Sequence, residues 1–222
     1  MTPVGVLRTC YPEKFCVPRQ SGLVPEAQGV VELIAPFNRP EAVRGLEGFT
    51  HIWLVTQFHL VEEDRTGLTA RPPRLGGNER LGVFATRSPF RPNRLGLSVV
   101  KLDRIDLSND GVRLLVSGID AVDGTPVLDI KPYVPYADCV ADAVGGFALA
   151  QPERLVVEWD CATPDGPVRS LIDATLSLNP APAYQDEPDR VYRGAIAEWN
   201  VTWKRVGSRV VVLSCNSIPS DH

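Results

Sequence analysis

The chain has 222 residues, 44% of them hydrophobic, and a formal net charge of -4. That much apolar material supports one ordinary domain, or one with a small appendage, and argues against disorder. The mild acidic excess excludes indiscriminate coating of nucleic acid, which depends on many phosphate contacts at once. No apolar stretch approaches the roughly 18–20 residues that span a bilayer, and Met1 to Thr9 has no apolar run of the secretory kind. The five cysteines, at 10, 16, 139, 161 and 215, form no Cys-x-x-Cys pair and have no histidine at metal-ligand spacing. A soluble cytoplasmic protein with reduced thiols and no metal is expected.

Strand-like runs dominate the first two thirds of the chain. Residues 5–9 form a short one, 30–35 follow a Gly/Pro loop, and 50–60 are rich in β-branched and aromatic side chains. Residues 95–105 and 112–119 flank a polar turn at 106–111, which predicts a hairpin. A further strand at 128–134 contains Pro132 and so belongs at the end of a ladder or at an edge. Residues 155–160 begin with clear alternation and are expected to complete the sheet. Six or seven short strands with few helical patterns predict a mainly β fold, an antiparallel β-barrel over residues 1–160. Residues 161–222 predict a small α+β subdomain. Val168, Leu171, Ile172, Leu176 and Leu178 share a helix face capped by Thr163 or Asp165, and Asn179-Pro-Ala-Pro ends it. After an acidic loop at 185–189, residues 195–204 and 209–214 make a hairpin across Gly207-Ser208.

The segment from Arg71 to Arg94 packs six arginines, four prolines and one acid into 24 residues, although the whole chain has four lysines against nineteen arginines. Guanidinium groups match phosphate in a planar fork and stack on bases. The prolines restrict the loop around Arg87, Arg91 and Arg94, so less entropy is lost when an anionic partner binds. A solvated loop is the alternative. A second island, Ile119-Asp-Ala-Val-Asp-Gly-Thr-Pro-Val-Leu-Asp-Ile-Lys-Pro-Tyr133, has a tight Asp123-Gly124 turn. Asp129, Lys131 and Tyr133 then alternate onto one strand face, as a polar pocket or as a structural ion pair. A third, Glu13-Lys-Phe-Cys-Val-Pro-Arg-Gln-Ser-Gly22, carries Arg19 and Gln20 beside Pro18. His51 and His59 lie on one side of their strand with no carboxylate cluster, so wall histidines are favoured over catalytic ones. Rossmann and Walker signatures are missing, and three histidines leave little room for a Ser-His-Asp engine.

Together the islands resemble the TrmO/TsaA-like family of tRNA adenosine N6-methyltransferases. The match rests on Lys14-Phe-Cys-Val-Pro-Arg-Gln20, Ala42-Val-Arg-Gly-Leu-Glu47 with Phe49-Thr-His-Ile-Trp53, and Arg71-Pro-Pro-Arg-Leu-Gly-Gly-Asn78. It continues through Gly82-Val-Phe-Ala-Thr-Arg-Ser88 with Phe90-Arg-Pro-Asn93 and Asp123-Gly-Thr-Pro-Val-Leu-Asp-Ile-Lys-Pro-Tyr133. These words run in order from about residue 4 to 138. The resemblance implies a non-Rossmann barrel that binds S-adenosylmethionine, a homodimer with the cofactor near the subunit interface, and a tRNA substrate with threonylcarbamoyladenosine beside the anticodon.

By matching position, the resemblance assigns the cofactor to Pro18, Arg19, Gln20, Phe58, His59, Arg87, Leu97 and the turn Ile119, Asp120, Ala121 and Val122. Asp129, Lys131 and Tyr133 go to the reacting adenine or its threonylcarbamoyl carboxylate, with Asp129 accepting the N6 proton and Lys131 pairing with the carboxylate. Arg91, Asn93 and Arg94 are expected at the tRNA. Two departures from the family pattern matter: His59-Leu60 replaces the His-Gln of many relatives and removes one hydrogen bond at the cofactor, and Asn179-Pro-Ala-Pro-Ala-Tyr184, which lacks one acid and one arginine of the family's Asp-Pro-Arg-Pro-Ala-Tyr, bears on substrate. The rival functions are a noncatalytic nucleotide- or RNA-binding regulatory barrel and a methyltransferase with a different acceptor.

Overall fold

Alternating apolar runs in the first 132 residues pair into a closed antiparallel barrel of six strands. The computed structural model describes residues 1–75, 79–181 and 190–219. Gly76 to Asn78 of the arginine segment, residues 182–184 of the Asn179 motif, the acidic 185–189 loop and His222 lie outside the described residues. The strands are β1 (Gly5–Thr9), β2 (Gln28–Leu33) and β3 (His51–Gln57), then a two-residue ladder of β4 (Thr69–Ala70) and β5 (Leu81–Gly82) inside a long excursion. β6 (Leu95–Ser108), β7 (Gly111–Ser117) and β8 (Thr125–Pro132) follow. The order round the barrel is β1-β2-β7-β6-β3-β8, and Gly5↔Val127, Val6↔Pro126 and Leu7↔Thr125 close it. Period-two alternation turns Leu7, Val31, Ile52, Leu54, Val100, Leu114 and Val127 into the interior, where all are fully buried.

β6 gives the barrel its shape. Its first half, Leu95 to Lys101, pairs with β3, and its second half, from Lys101 to Ser108, pairs with β7. A bulge at Asp103, between the Leu102 and Arg104 pairings, bends the strand between these partners. The predicted hairpin is present with a tighter loop than expected: Ser108 pairs with Gly111, leaving two connecting residues, and Gly111 has φ 127°. β8 starts three residues earlier than predicted, because Thr125 and Pro126 already pair with β1.

After the short helix α1 (Pro135–Asp138) and an exposed connection come β9 (Val156–Trp159), α2 (Pro167–Ser177), β10 (Val191–Ile196), β11 (Trp199–Val206) and β12 (Arg209–Ser217). They form a second sheet of order β10-β11-β12-β9, and β9 runs parallel to β12. Thus β9, expected to complete the barrel, belongs to the second unit, which begins before residue 161. The barrel is already sealed by β1 against β8 and offers no edge, whereas β9 gains a partner in β12 and lies under α2, where Trp159 Nε1 donates to Asp173 Oδ1 at 2.7 Å. The predicted strand at 195–204 is divided at Ala197, which has φ 51°, so β10 is an additional strand. Neither Thr163 nor Asp165 caps α2; its N-cap is Gly166, with no side-chain hydrogen bond.

One hydrophobic core runs through both sheets. The joint is the segment between β1 and β2. Tyr11, fully buried, shares a 3.2 Å hydrogen bond with Thr175 of α2, and the Glu13 carboxylate accepts the Ala195 N–H at 2.8 Å. Phe15 stacks on Trp203 and Tyr192 with centroids 5.8 and 6.3 Å apart. Gly194 is required here, because a Cβ would lie 2.5 Å from Cys16 Sγ. Trp203→Ala, which opens a cavity in this shared core, is expected to cost about 3–5 kcal/mol. In urea unfolding it should lower one common midpoint for barrel and second sheet; two separated transitions in the native protein would show that the sheets do not stabilise each other.

Candidate functional site at the barrel mouth

Where β6 pairs only with β3, β7 has already left the ladder. The chain turns at Gly118, whose φ is 79° and whose Cβ, if present, would lie 3.3 Å from Gly22. Its N–H donates to Ala27 O and its carbonyl accepts Gly22 N–H, so two loops cross at van der Waals distance. The next residues form the 119–124 turn: Ile119 is buried, Thr9 Oγ1 donates to Ala121 O at 3.0 Å, and Asp123 Oδ1 accepts Thr9 N–H at 2.9 Å. This places Asp120 beside β6, where Ser98 Oγ donates to Asp120 Oδ1 at 2.6 Å.

Ser98 is an inward residue of β6, in line with Gly96, Val100 and Leu102. Burial raises the Asp120 carboxyl above the ordinary carboxylate range; hydrogen bonds from Ser98 and from the backbone of Asp120 and Ser21, with the nearby Arg87 charge, act against that rise. Arg87 Nη1 also donates to Gln20 Oε1. Gln20, Arg87 and Asp120, far apart in sequence, therefore meet at one end of the barrel. Phe58 lies over Gly96, where a Cβ would come within 3.3 Å of its ring and 2.4 Å of Thr56 Oγ1. His59 follows, its imidazole held below the ordinary histidine value chiefly by desolvation, with Lys14 adding to the shift and a Gln57 backbone bond and Asp123 opposing it. Pro18 is buried, and Arg19 donates to Ala181 O at 3.4 Å, in the altered Asn179 motif.

The arginine excursion is braced by its own hydroxyls. Thr86 Oγ1 donates to Val83 O at 2.9 Å and accepts Ser88 N–H at 3.3 Å, and Ser88 Oγ accepts Phe90 N–H at 3.2 Å. Arg91 donates to Thr86 O at 3.2 Å and Arg94 to Val61 O at 2.8 Å, and Arg94 adopts φ 51° while its carbonyl accepts Phe58 N–H. Asn93 is exposed, as are Arg71, Arg80 and Arg87. Phe84, not singled out from sequence, is 79% exposed.

Asp129, Lys131 and Tyr133 do share one face, but it is the outer wall. Val55 pairs with both Asp129 and Leu97, Trp53 with Lys131, and the Tyr133 ring lies 5.9 Å from that of Trp53. Leu97, 58% exposed, stands on this outer face, whereas its neighbour Ser98 is inside. The barrel wall thus separates Leu97 and the Asp/Lys/Tyr group from the Arg87–Asp120 cluster within one subunit. Sequence reasoning missed Ser98, Ser21 and Gly96. The signal was present in the inward positions: Thr56 and Ser98 are polar where the alternation of β3 and β6 calls for apolar side chains. Among the described residues no group of three or more His, Cys, Asp or Glu could hold a metal ion, and no helix is long and apolar enough to cross a membrane.

A closed barrel with a charged mouth, joined through one core to an α+β sheet, is the architecture of a two-part barrel protein with its site on loops rather than on a Rossmann sheet. Residues 6–139 match the tRNA-methyltransferase O N-terminal domain and residues 153–218 the TrmO C-terminal domain, and the chain belongs to the tRNA-methyltransferase O family. It is 49% identical to a putative S-adenosylmethionine-dependent methyltransferase, RcsF, of Pseudomonas aeruginosa, over 91% of each chain. It is 43% identical to the tRNA (adenine(37)-N6)-methyltransferase of Escherichia coli, over 90% of this chain and 91% of that one. A crystal structure of TrmO from P. aeruginosa shares its fold with a TM-score of 0.79 at 40% identity, covering 98% of each chain.

A carboxyl whose folded-state value is raised by burial opposes folding when ionised, so its contribution is most favourable while protonated and declines as pH rises through that value. Asp120→Asn removes this cost. It should raise the melting midpoint of the ligand-free protein at neutral pH by about 2–4 °C, with the gain shrinking toward acid; thermal melts across that range check it, and an equal or lower midpoint at neutral pH would show the charge to be fully compensated.

Proposed function

We propose that this chain is an S-adenosylmethionine-dependent tRNA methyltransferase that modifies N6 of adenine 37, beside the anticodon, when that base carries a threonylcarbamoyl group. The observation that carries this assignment is the meeting of Gln20, Arg87 and Asp120 at the barrel mouth, in a chain whose relatives include an enzyme named for that reaction. The donor set fits the cofactor: a half-buried carboxylate for a cationic group, a guanidinium for a carboxylate, and the half-buried Phe58 ring as an apolar surface for a purine. When bound, S-adenosylmethionine supplies an activated methyl group for in-line displacement.

The protein's contribution is then placement and charge. Asp120 and Arg87 hold opposite charges across the mouth, and the lowered basicity of His59 keeps a second cation away from a positively charged donor. Asp129 is assigned to accept the N6 proton and Lys131 to pair with the threonylcarbamoyl carboxylate. Because the wall separates them from the mouth, the reading includes a homodimer in which a second copy covers the outer face around Leu97, Trp53 and Tyr133 and completes a site near the interface. Arg91, Asn93 and Arg94, with exposed Arg71 and Arg80, are assigned to the phosphates of the anticodon arm, and exposed Phe84 and Phe90 suit unstacked bases. Action on tRNA is consistent with a cytoplasmic location and needs no metal.

Methyl transfer measured on tRNA with and without the threonylcarbamoyl group, read by mass spectrometry of digests, should occur only with the modified substrate. Equal transfer to both would assign a different acceptor, and none to either would favour a noncatalytic binder. Separately, Arg87→Ala should weaken S-adenosylmethionine binding by about tenfold; an unchanged calorimetric affinity would remove Arg87 from the pocket.

A further inference from the structure

Ser98 has no role in the cofactor assignment made above, yet its inward side chain is bonded to the half-buried carboxylate of the mouth. We propose that Ser98 is a positioning residue whose hydroxyl aims the Asp120 carboxylate at a cationic group of the methyl donor. The proposal rests on the S-adenosylmethionine assignment and deepens it. Three observations lead to it. Ser98 is 8% exposed among inward residues of β6 that are otherwise Gly96, Val100 and Leu102. A buried hydroxyl in an apolar wall has a cost unless it is bonded, and its bond is the 2.6 Å contact to Asp120 Oδ1, the length of a charge-assisted O–H···O pair. That contact joins β6 to the 119–124 turn, so the carboxylate is held by the rigid wall rather than by its own loop alone.

Among the described residues, the groups that face Asp120 are the Arg87 guanidinium from the arginine excursion, the Ser98 hydroxyl from β6, and the backbone N–H groups of Ser21 and of Asp120 itself. Asp123, in the same turn, is engaged elsewhere, with Thr9 N–H and with Arg8 at 3.8 Å. Burial favours the protonated acid and the Ser98 bond favours the ionised one. Removing the hydroxyl therefore raises the Asp120 value further and withdraws the negative charge at a higher pH. A cofactor held by that charge would lose affinity from the acid side.

Two cations on the donor share this chemistry, the α-ammonium of its amino-acid end and the sulfonium. Calorimetric binding of S-adenosylmethionine, S-adenosylhomocysteine and 5′-methylthioadenosine to the native protein and to Ser98→Ala, over a range of pH, separates them. The expected result is about a tenfold loss for S-adenosylmethionine in Ser98→Ala, an acid limb of the affinity profile displaced to higher pH, and recovery of both in Ser98→Thr. Equal loss for S-adenosylhomocysteine with none for 5′-methylthioadenosine identifies the ammonium; loss for S-adenosylmethionine alone identifies the sulfonium. His59 titrates in both proteins and cancels in the comparison. An unchanged affinity and pH profile in Ser98→Ala, a loss of the same size for 5′-methylthioadenosine, or a Ser98→Thr variant as weak as the alanine, overturns the role of Ser98 while leaving the cofactor assignment intact. Failure of the native protein to bind any of the three overturns both.

Discussion

The bend in β6 is the constraint on which the site depends. A single 14-residue strand serves two neighbours in turn, β3 with its first half and β7 with its second. A barrel of six strands must tilt and stagger its strands to close, and here the stagger leaves the first half of β6 without β7 beside it. The chain that leaves β7 fills that place as an irregular turn, and an irregular turn can present a carboxylate where a strand would present alternate side chains to inside and outside. Asp120 lies half-buried beside Ser98 for this reason. The remaining parts of the mouth, Phe58 over Gly96 and Arg87 against Gln20, are arranged around the same gap.

The segment from Tyr11 to Gln20 has two duties. Its first half packs into the second sheet through Tyr11, Phe15 and Cys16, and its end delivers Gln20 to Arg87 and the Ser21 N–H to Asp120. Joining the two sheets and building the mouth are thus not separable. A change in the helix or the second sheet that displaces Phe15 would be felt at the charged cluster within a few residues, through a stretch that Pro12 and Pro18 keep short of conformational alternatives. Arg19 extends this link, because it reaches Ala181 at the altered Asn179 motif.

Much of the barrel was legible in the residues. β1 coincides with the predicted run, and the 95–119 hairpin and the one-sided alternation of Asp129, Lys131 and Tyr133 follow from side-chain periods that a strand imposes whatever it pairs with. The sheet to which β9 belongs was not legible, since alternation in Val156–Trp159 suits either sheet and only the absence of an edge on a closed barrel decides between them. The split at Ala197 was hidden for a related reason: a non-glycine residue with positive φ leaves no mark in composition.

For the site, the sequence by itself determined its chemical inventory: arginines on a proline-restricted excursion, an Asp in a tight turn, an Asp/Lys/Tyr face, and family words that join them. Which of these meet was decided only by the tertiary structure. Alternation tells that Leu97 and Ser98 face opposite ways, but inside and outside acquire meaning when the barrel closes, and closure sends Leu97 with Asp129 to the outer wall and Ser98 to Asp120. Contacts such as Arg87 with Gln20, 67 residues apart, depend on the long-range pairing of strands whose register is set by the whole sheet. Local sequence carries the side chain and its period; the distance between two such side chains is a property of the closed barrel.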